Sequence, residues 1–393
     1  MNEVIYQMIH SMQGEIAMKK RSFMLFLFAP ILILASCSSE DESVTANEKK
    51  YISSIQKKEV YEIQQPAKVN IARGSIINNM NNALNINEIE RGLMNLSVNH
   101  FSTDKFYMQE GQYLEEKMIS QWLSRKTDEG IGLNPAIETR SDNVLEDEKK
   151  YPLILSHVLE QNFINKENNK VEGLSIAISL NEFYDIRVSD ANGLIYTGQV
   201  KVDQNDDDIN DVKNYGKEVA KRILEDIRKN EKYPRVPIYL TLYQESNIND
   251  IIPGIFLAET FIPKDADTIT KWFDIDKKHY IFPSDALYSL DQNMYNKLLI
   301  FKEDIQGGFK HLNPKIMGKL RYEDGKLTDI NLEIHVPLVN DIELIGLLQL
   351  TSTKINTILF DYIPITIRVI DQKQDVGIVL WDPTEKQIFA TPI

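Results

Sequence analysis

Apolar residues recur at spacings of three and four in some stretches of the chain and at every second position in others, and these two periods separate helices from strands. Residues 73–84 and 87–96 place Ile76, Ile77, Met80, Leu84, Ile89, Leu93 and Leu96 on one face, which predicts helix. Asn87 and Glu90 are read there as a cap and its reciprocal partner. A second helical piece is expected over 115–123, ahead of turn residues Gly130, Gly132 and Asn134-Pro135. Residues 140–150 are charged and read as an exposed loop. Over 173–184, Leu174, Ile176, Ile178 and Leu180 alternate with smaller residues, as in a strand with one buried face. A second strand at 193–202 would complete a hairpin through Asp190-Ala191-Asn192-Gly193. Val212, Tyr215, Val219, Ile223 and Ile227 predict an amphipathic helix ending near Asn230, followed by strands at 236–242 and 254–262.

The last hundred residues repeat this order. Strands are expected at 315–322 and 327–337 around the turn Glu323-Asp324-Gly325, then a helix at 345–360 and strands at 363–370 and 377–381. Val236-Pro237-Ile238-Tyr239-Leu240 matches Ile363-Pro364-Ile365-Thr366-Ile367, with a proline opening each strand where its missing donor is tolerated. The expected fold class is therefore α+β: two related strand-strand-helix-strand-strand repeats behind an N-terminal helical segment. Chance similarity between two ordinary α+β units is the alternative. Residues 69–262 hold the first repeat and 263–393 the second, with a linking helix over 284–309.

The front of the chain follows a different logic. An apolar run over 23–35 follows Met18-Lys19-Lys20-Arg21 and ends in Leu34-Ala35-Ser36-Cys37. At thirteen residues, with Pro30 inside it, the run is too short and too broken to cross a bilayer as a helix. The order of basic, apolar and small residues before a cysteine reads as a lipoprotein signal, with Leu34, Ala35, Ser36 and Cys37 recognised by signal peptidase II. Residues 1–36 would be removed and Cys37 alkylated to a diacylglycerol, anchoring the chain at the extracellular face of the cell membrane. The bland alternative for a lone cysteine is a small core residue. The polar lead before Met18 points to translation starting at Met18, a longer basic region being the alternative. Residues 37–68 are polar and poor in aromatics, and read as a flexible tether.

Cys37 is the only cysteine, so no disulfide can form within the chain. The net charge is −14, and removing residues 1–36 takes three cations and two acids with it, leaving −15 on the mature part. Such acidity opposes binding to nucleic acid or to an anionic lipid surface. The expected partners are the membrane, through the lipid on Cys37, and the lipoprotein-processing enzymes.

Candidate chemistry in the remainder is sparse. Ser97, His100 and Asp104 are the residue types of a hydrolase triad, but they crowd into eight positions and no Gly-x-Ser-x-Gly elbow exists. The acidic run 203–208 lacks the sixth-position glycine of a calcium loop and has Asn214 where a bidentate glutamate belongs. It reads better as acids ahead of a helix N-terminus. His157, His279, His311 and His335 lack metal-ligand spacing. No catalytic residue, metal or cofactor is expected. Between Phe101 and Tyr113, Lys105, Tyr107, Gln109 and Gln112 form a candidate binding surface, the competing reading being the edge of a core. A transporter's solute-binding lipoprotein and a surface hydrolase are the competing function classes.

Several short motifs, taken in order, resemble the CamS-type sex pheromone lipoprotein precursors of low-GC Gram-positive bacteria. They are Ala72-Arg73-Gly74, Asn79-Met80, Gly92-Leu93-Met94-Asn95-Leu96-Ser97, Thr103-Asp104-Lys105 and Gln109-Glu110-Gly111-Gln112. Gly132-Leu133-Asn134-Pro135, Leu159-Glu160-Gln161, Gly216-Lys217 with Ala220 and Ile223-Leu224, Pro253-Gly254 with Phe256, and Phe301 with Phe309 continue the series. The resemblance spans about residues 70–393. It implies two products, a lipoprotein held at the membrane and a short apolar peptide trimmed from the signal. Here that peptide would be Pro30-Ile31-Leu32-Ile33-Leu34-Ala35-Ser36, read by a peptide-pheromone receptor. It opens with proline where the family pattern has alanine, and Leu32 stands where the pattern has phenylalanine.

Overall fold

Two six-stranded sheets built on one plan carry the fold. The computed structural model describes residues 61–70, 80, 82–202, 212–359 and 363–393. The expected leader with Cys37 and the expected 30–36 peptide, the stretch read as tether up to residue 60, most of the helix expected at 73–84, and the acidic run 203–208 lie outside the described residues.

The first sheet is ordered β1 (Phe106–Glu110), β2 (Leu155–Asn165), β3 (Val171–Leu180), β6 (Ile238–Gln244), β7 (Ile255–Ile262) and β8 (Phe273–Asp274). Between β3 and β6 the chain inserts a separate hairpin, β4 (Phe183–Ser189) with β5 (Ile195–Lys201). The second sheet is ordered β9 (Lys277–Phe282), β10 (Lys315–Glu323), β11 (Lys326–Val336), β12 (Ile365–Asp371), β13 (Gln374–Asp382) and β14 (Gln387–Pro392). The described residues form α1 (Ala83–Ser97), α2 (Glu116–Leu123), α3 (Val144–Lys150), α4 (Val212–Lys229), α5 (Asp285–Leu290), α6 (Gln292–Gly308) and α7 (Asp341–Ile358).

In each sheet only the central pair is parallel, β3 with β6 and β11 with β12, and every other pairing is antiparallel. A parallel pair needs a crossover. Helix α4 supplies it in the first sheet and α7 in the second. The α+β repeat expected from the sequence is thus present, β2-β3-α4-β6-β7 answering β10-β11-α7-β12-β13. The matched prolines take equivalent places: the Pro237 carbonyl accepts the Leu174 N–H at 3.1 Å and the Pro364 carbonyl the Ile330 N–H at 3.2 Å.

The first repeat's leading strands differ from the expected ones. The partner of β3 is β2, and the 193–202 region pairs instead with β4. Strand β2 escapes pattern reading because ten of its eleven residues are buried, polar ones included, so no alternation shows. Likewise β3 has both faces buried. Leu174, Ile176, Ile178 and Leu180 face the core under α4, while Ser175, Ala177 and Ser179 lie under α1. The smaller residues that resemble a solvent face are small so that a helix can approach.

The first sheet is therefore covered on both faces. Val219, Ala220, Ile223, Leu224 and Ile227 of α4 fill one side, and Ile89, Leu93 and Leu96 of α1 the other. In the second sheet α6 and α7 pack Leu298, Phe301, Ile305, Leu344, Leu347 and Leu348 against Ile330, Leu332, Ile334, Ile365 and Ile367.

Local chemistry sets several boundaries. Helix α1 is capped by Asn82, whose side chain accepts the Leu84 N–H at 2.8 Å, so Asn87 lies inside the helix and is not its cap. The stretch 140–150 is not all loop. Asn143 caps α3, and Asp147 is buried because it accepts the N–H and hydroxyl of Ser141. The helix expected over 284–309 is broken at Asp291, which caps α6 by accepting the Met294 N–H at 2.9 Å. Tyr61, within the stretch read as tether, is buried against Phe163 at 5.1 Å and donates to the Phe101 carbonyl. The first sheet also reaches past residue 262 through β8, whose two residues are too few to show a period.

Candidate functional site

Because β3 and β6 run parallel, their carboxyl ends, Leu180 and Gln244, meet at one edge of the first sheet, and antiparallel β2 brings its amino end, Leu155, beside them. Asn181 follows β3, and Glu245, Ser246 and Asn247 follow β6. With Asn82 and Asn85 from the start of α1, and Phe183, Tyr184 and Asp185 from the inserted hairpin, they line a polar cleft of about 240 Å³.

Asn85, fully buried, organises the cleft. Its Oδ1 accepts from the Gly254 N–H at 2.8 Å, the Tyr243 hydroxyl at 3.0 Å, and the Ser246 hydroxyl at 3.1 Å and N–H at 3.2 Å; its Nδ2 donates to the Ser246 carbonyl at 3.0 Å. Glu245 is 7 % exposed and accepts the Ser179 hydroxyl at 2.7 Å. Burial pushes its carboxyl up to about 7, against the hydroxyls of Ser156 and Ser179, which favour the charged form. Asn181 donates to the Leu153 carbonyl at 3.0 Å, and Asp185 accepts from Gln199 at 2.6 Å. The hairpin wall is held from behind. Tyr184 donates to Glu148 at 2.9 Å, and Glu148 pairs with Arg125, which also donates to the carbonyls of Pro135 at 2.9 Å and Tyr151 at 2.7 Å.

A second buried constellation lies on β2. Glu160, 1 % exposed, accepts the backbone N–H groups of Gln112 at 3.2 Å, Tyr113 at 3.2 Å and Leu114 at 2.6 Å, and the Asn162 amide. Burial raises its pKa and these donors oppose the rise. These donors all belong to the protein itself, so the carboxylate acts as an anchor for the chain between β1 and α2. Beside it, a depression of similar size is floored by Met94, Met108 and Leu159. At its edge the buried Gln161 donates to the Glu90 carbonyl at 2.7 Å.

The residues singled out from sequence fall apart in space. Ser97 is fully buried, its hydroxyl bonded to the Leu93 carbonyl at 2.6 Å and to Ser175 at 2.7 Å. His100 stacks on Phe261 at 4.7 Å and lies 4.5 Å from the Tyr239 ring, and Asp104 is exposed. No side-chain hydrogen bond joins these three among the described residues. Lys105 is exposed, Tyr107 sits under the Lys166 ammonium at 5.1 Å, and Gln109 is buried opposite Asn162. Gln112 holds its own turn, donating to the Glu110 carbonyl at 3.1 Å and the Gly111 carbonyl at 3.0 Å. Among the described residues no group of three or more His, Cys, Asp or Glu is placed to hold a metal ion. Sequence reading missed the cleft because its residues are scattered from 82 to 248. The available signal was the polar residue after each strand of the crossover, Asn181 and Glu245.

The family model for the CamS sex pheromone cAM373 precursor matches residues 68–387, most of the chain. The chain belongs to this family. The C-terminal domain of the sex pheromone staph-cAM373 precursor from Staphylococcus aureus is 26 % identical, with a TM-score of 0.67 over 80 % of this chain and 98 % of that one. A sex pheromone precursor from Lactobacillus salivarius subsp. salivarius shares the fold, with 24 % identity and a TM-score of 0.71 over 83 % of this chain and 93 % of that one. Among curated proteins none matches the chain.

The motifs that carry the CamS resemblance meet in pairs. Gly111 lies against Glu160, where a Cβ would come within 2.6 Å of the Glu160 Cβ, and its N–H donates to the Glu160 carbonyl at 3.0 Å. Gly92 on α1 leaves room for the Phe256 ring. Asn134 accepts the N–H groups of Ile154 and Leu155, both at 2.7 Å, and donates to the carbonyls of Leu123 at 2.8 Å and Leu155 at 2.9 Å, tying the Gly132–Pro135 turn to β2. In this CamS chain those motif residues pack elements and anchor loops. The cleft draws on other residues.

Proposed function

We propose that the chain is an exported precursor with two products: an apolar peptide, Pro30 to Ser36, and a lipoprotein anchored through Cys37 at the extracellular face of the membrane, whose folded part binds a ligand in the cleft beside Glu245. The observation that carries the reading is the order of basic segment, apolar run, Leu34-Ala35-Ser36 and Cys37 ahead of a CamS match that begins at residue 68. The family supports the peptide product. Among the described residues no helix is long and apolar enough to cross a membrane, so a lipid is the anchor this reading supplies. A binding role is favoured over catalysis because Ser97 is tied to Leu93 and Ser175, His100 stacks on Phe261, and Asp104 is exposed, so the three do not meet. A solute-binding lipoprotein of a transporter would be expected to show several crossovers, whereas each sheet here has a single parallel pair.

Mass spectrometry of membranes and spent medium from producing cells tests the reading. The expected result is a diacylglycerol-modified Cys37 at the new N-terminus and a peptide ending at Ser36. A Cys37→Ala chain that is still acylated would overturn the anchor, and a lipoprotein without any such peptide would remove the pheromone product.

A further inference from the structure

The two repeats provide an internal comparison. In the second sheet the chain passes from β11 to α7 through residues 337–340 and from β12 to β13 through Gln372 and Lys373 alone. In the first sheet the corresponding connections are residues 181–211, holding the β4–β5 hairpin, and residues 245–254. At the carboxyl ends of the central parallel pair, both connections are thus longer in the first repeat than in the second, and both line the same cleft. Folding the sheet does not require these additions, since the second sheet forms the same strand order without them.

The lining narrows what the cleft can hold. None of its residues is Lys, Arg or His, and it contains Asp185 and Glu245, so an anion would meet repulsion with no counter-charge. Amide, hydroxyl and carboxyl groups dominate, which disfavours an apolar ligand. With its carboxyl raised to about 7 by burial, Glu245 is protonated in part at neutral pH, which weakens its claim on an ammonium group and lets it donate as well as accept. Phe183 and Tyr184 add ring surface on the hairpin side. A volume of about 240 Å³ falls below the roughly 300–1,000 Å³ of sites for drug-sized ligands, which limits the occupant to a small molecule or one ring of a larger one.

We propose that the cleft at the carboxyl ends of β3 and β6 is a binding site for a neutral saccharide, with Asn181, Asp185, Asn247 and Glu245 facing its hydroxyl groups and Phe183 or Tyr184 facing its apolar side. This rests on the reading of the folded part as a binding module and names its ligand class. Saturation-transfer NMR and calorimetry on the full chain in detergent, with glucose, lactose and N-acetylglucosamine as neutral probes, putrescine as a cation and citrate as an anion, test it. At least one sugar should bind saturably. Asp185→Ala, at an exposed position, and Phe183→Ala should each weaken it tenfold or more, while Thr391→Ala on the second sheet leaves it unchanged. Sugar binding that Asp185→Ala and Phe183→Ala do not alter would overturn the site. Binding of putrescine or citrate without any sugar would overturn the ligand class and leave the binding module standing. Binding of none of the probes would overturn the proposal, while acylated Cys37 and the released peptide are judged separately by mass spectrometry.

Discussion

The Glu160 carboxylate accepts the Leu114 N–H at 2.6 Å across forty-six positions of sequence, joining the middle of β2 to the residues that precede α2. Glu160→Ala would leave that buried N–H without its acceptor and loosen the turn from Gly111 to Leu114. The expected loss is about 3 kcal/mol, as for a buried donor stripped of a charged partner together with weaker neighbours. Glu160→Gln, which retains one acceptor oxygen, should cost less. Urea unfolding of both variants checks this, and equal losses would count against the hydrogen-bonding account.

Gly92 and Phe256 make a complementary pair. Gly92→Ala puts a methyl group into the Phe256 ring and should destabilise by roughly 1–3 kcal/mol through overpacking. Phe256→Leu alone should also cost stability, yet in the double variant it should relieve part of the Gly92→Ala loss. A double-mutant cycle by thermal unfolding measures the coupling, and strict additivity would contradict the contact.

His157 is 1 % exposed, and burial pushes its imidazole down to about 4 from the usual 6.5. The unfolded chain then binds the proton more readily. The stability it contributes is present above pH 6.5 and is lost as the pH falls through 4, on the order of 3 kcal/mol. His279 is pushed down to about 4 as well, by burial and by nearby Arg321, Lys319 and Lys277, and acts with the same sign. His157→Asn should flatten the acid limb of a stability-against-pH curve without abolishing it.

Glu245 works in the opposite sense. Its carboxyl is raised to about 7, so the folded chain holds the proton more tightly than the unfolded one between pH 4.5 and 7. Its contribution is complete below pH 4.5 and is lost as the pH rises through 7. Glu245→Gln should therefore gain on the parent as the pH passes from 5 to 8. Glu160 and Glu88, also raised by burial, titrate with the same sign, so the informative quantity is the difference between variant and parent curves.

Ser97 and Ser175 share a buried hydrogen bond of 2.7 Å. Ser97→Ala should cost about 1 kcal/mol by depriving Ser175 of its partner, and adding Ser175→Ala should restore much of that loss. Chemical unfolding of the single and double variants decides between this packing role and a wholly independent pair.

The hydrophobic pattern by itself determined the α4 and α7 crossovers, the strands that flank them and the duplication, because a helix or strand with one dominant apolar face records its period in sequence. Pro237 and Pro364 made the register of the two repeats visible, and their carbonyls hold matching positions. The order of basic, apolar and small residues before Cys37, on which the proposed lipoprotein signal rests, is likewise linear. Tertiary structure alone decided β2, where Ser156, His157, Glu160, Gln161 and Asn162 are all buried. Such side chains look solvent-facing until their partners, in Glu160's case the backbone of residues 112–114, are brought up from elsewhere. It also decided α3, whose Asp147 and Glu148 are buried on Ser141 and Arg125. The cleft belongs to the same class. Asn85, Asn181 and Glu245 become neighbours only when the parallel pairing of β3 with β6 places two strand ends side by side, and that pairing leaves no periodic trace in the chain.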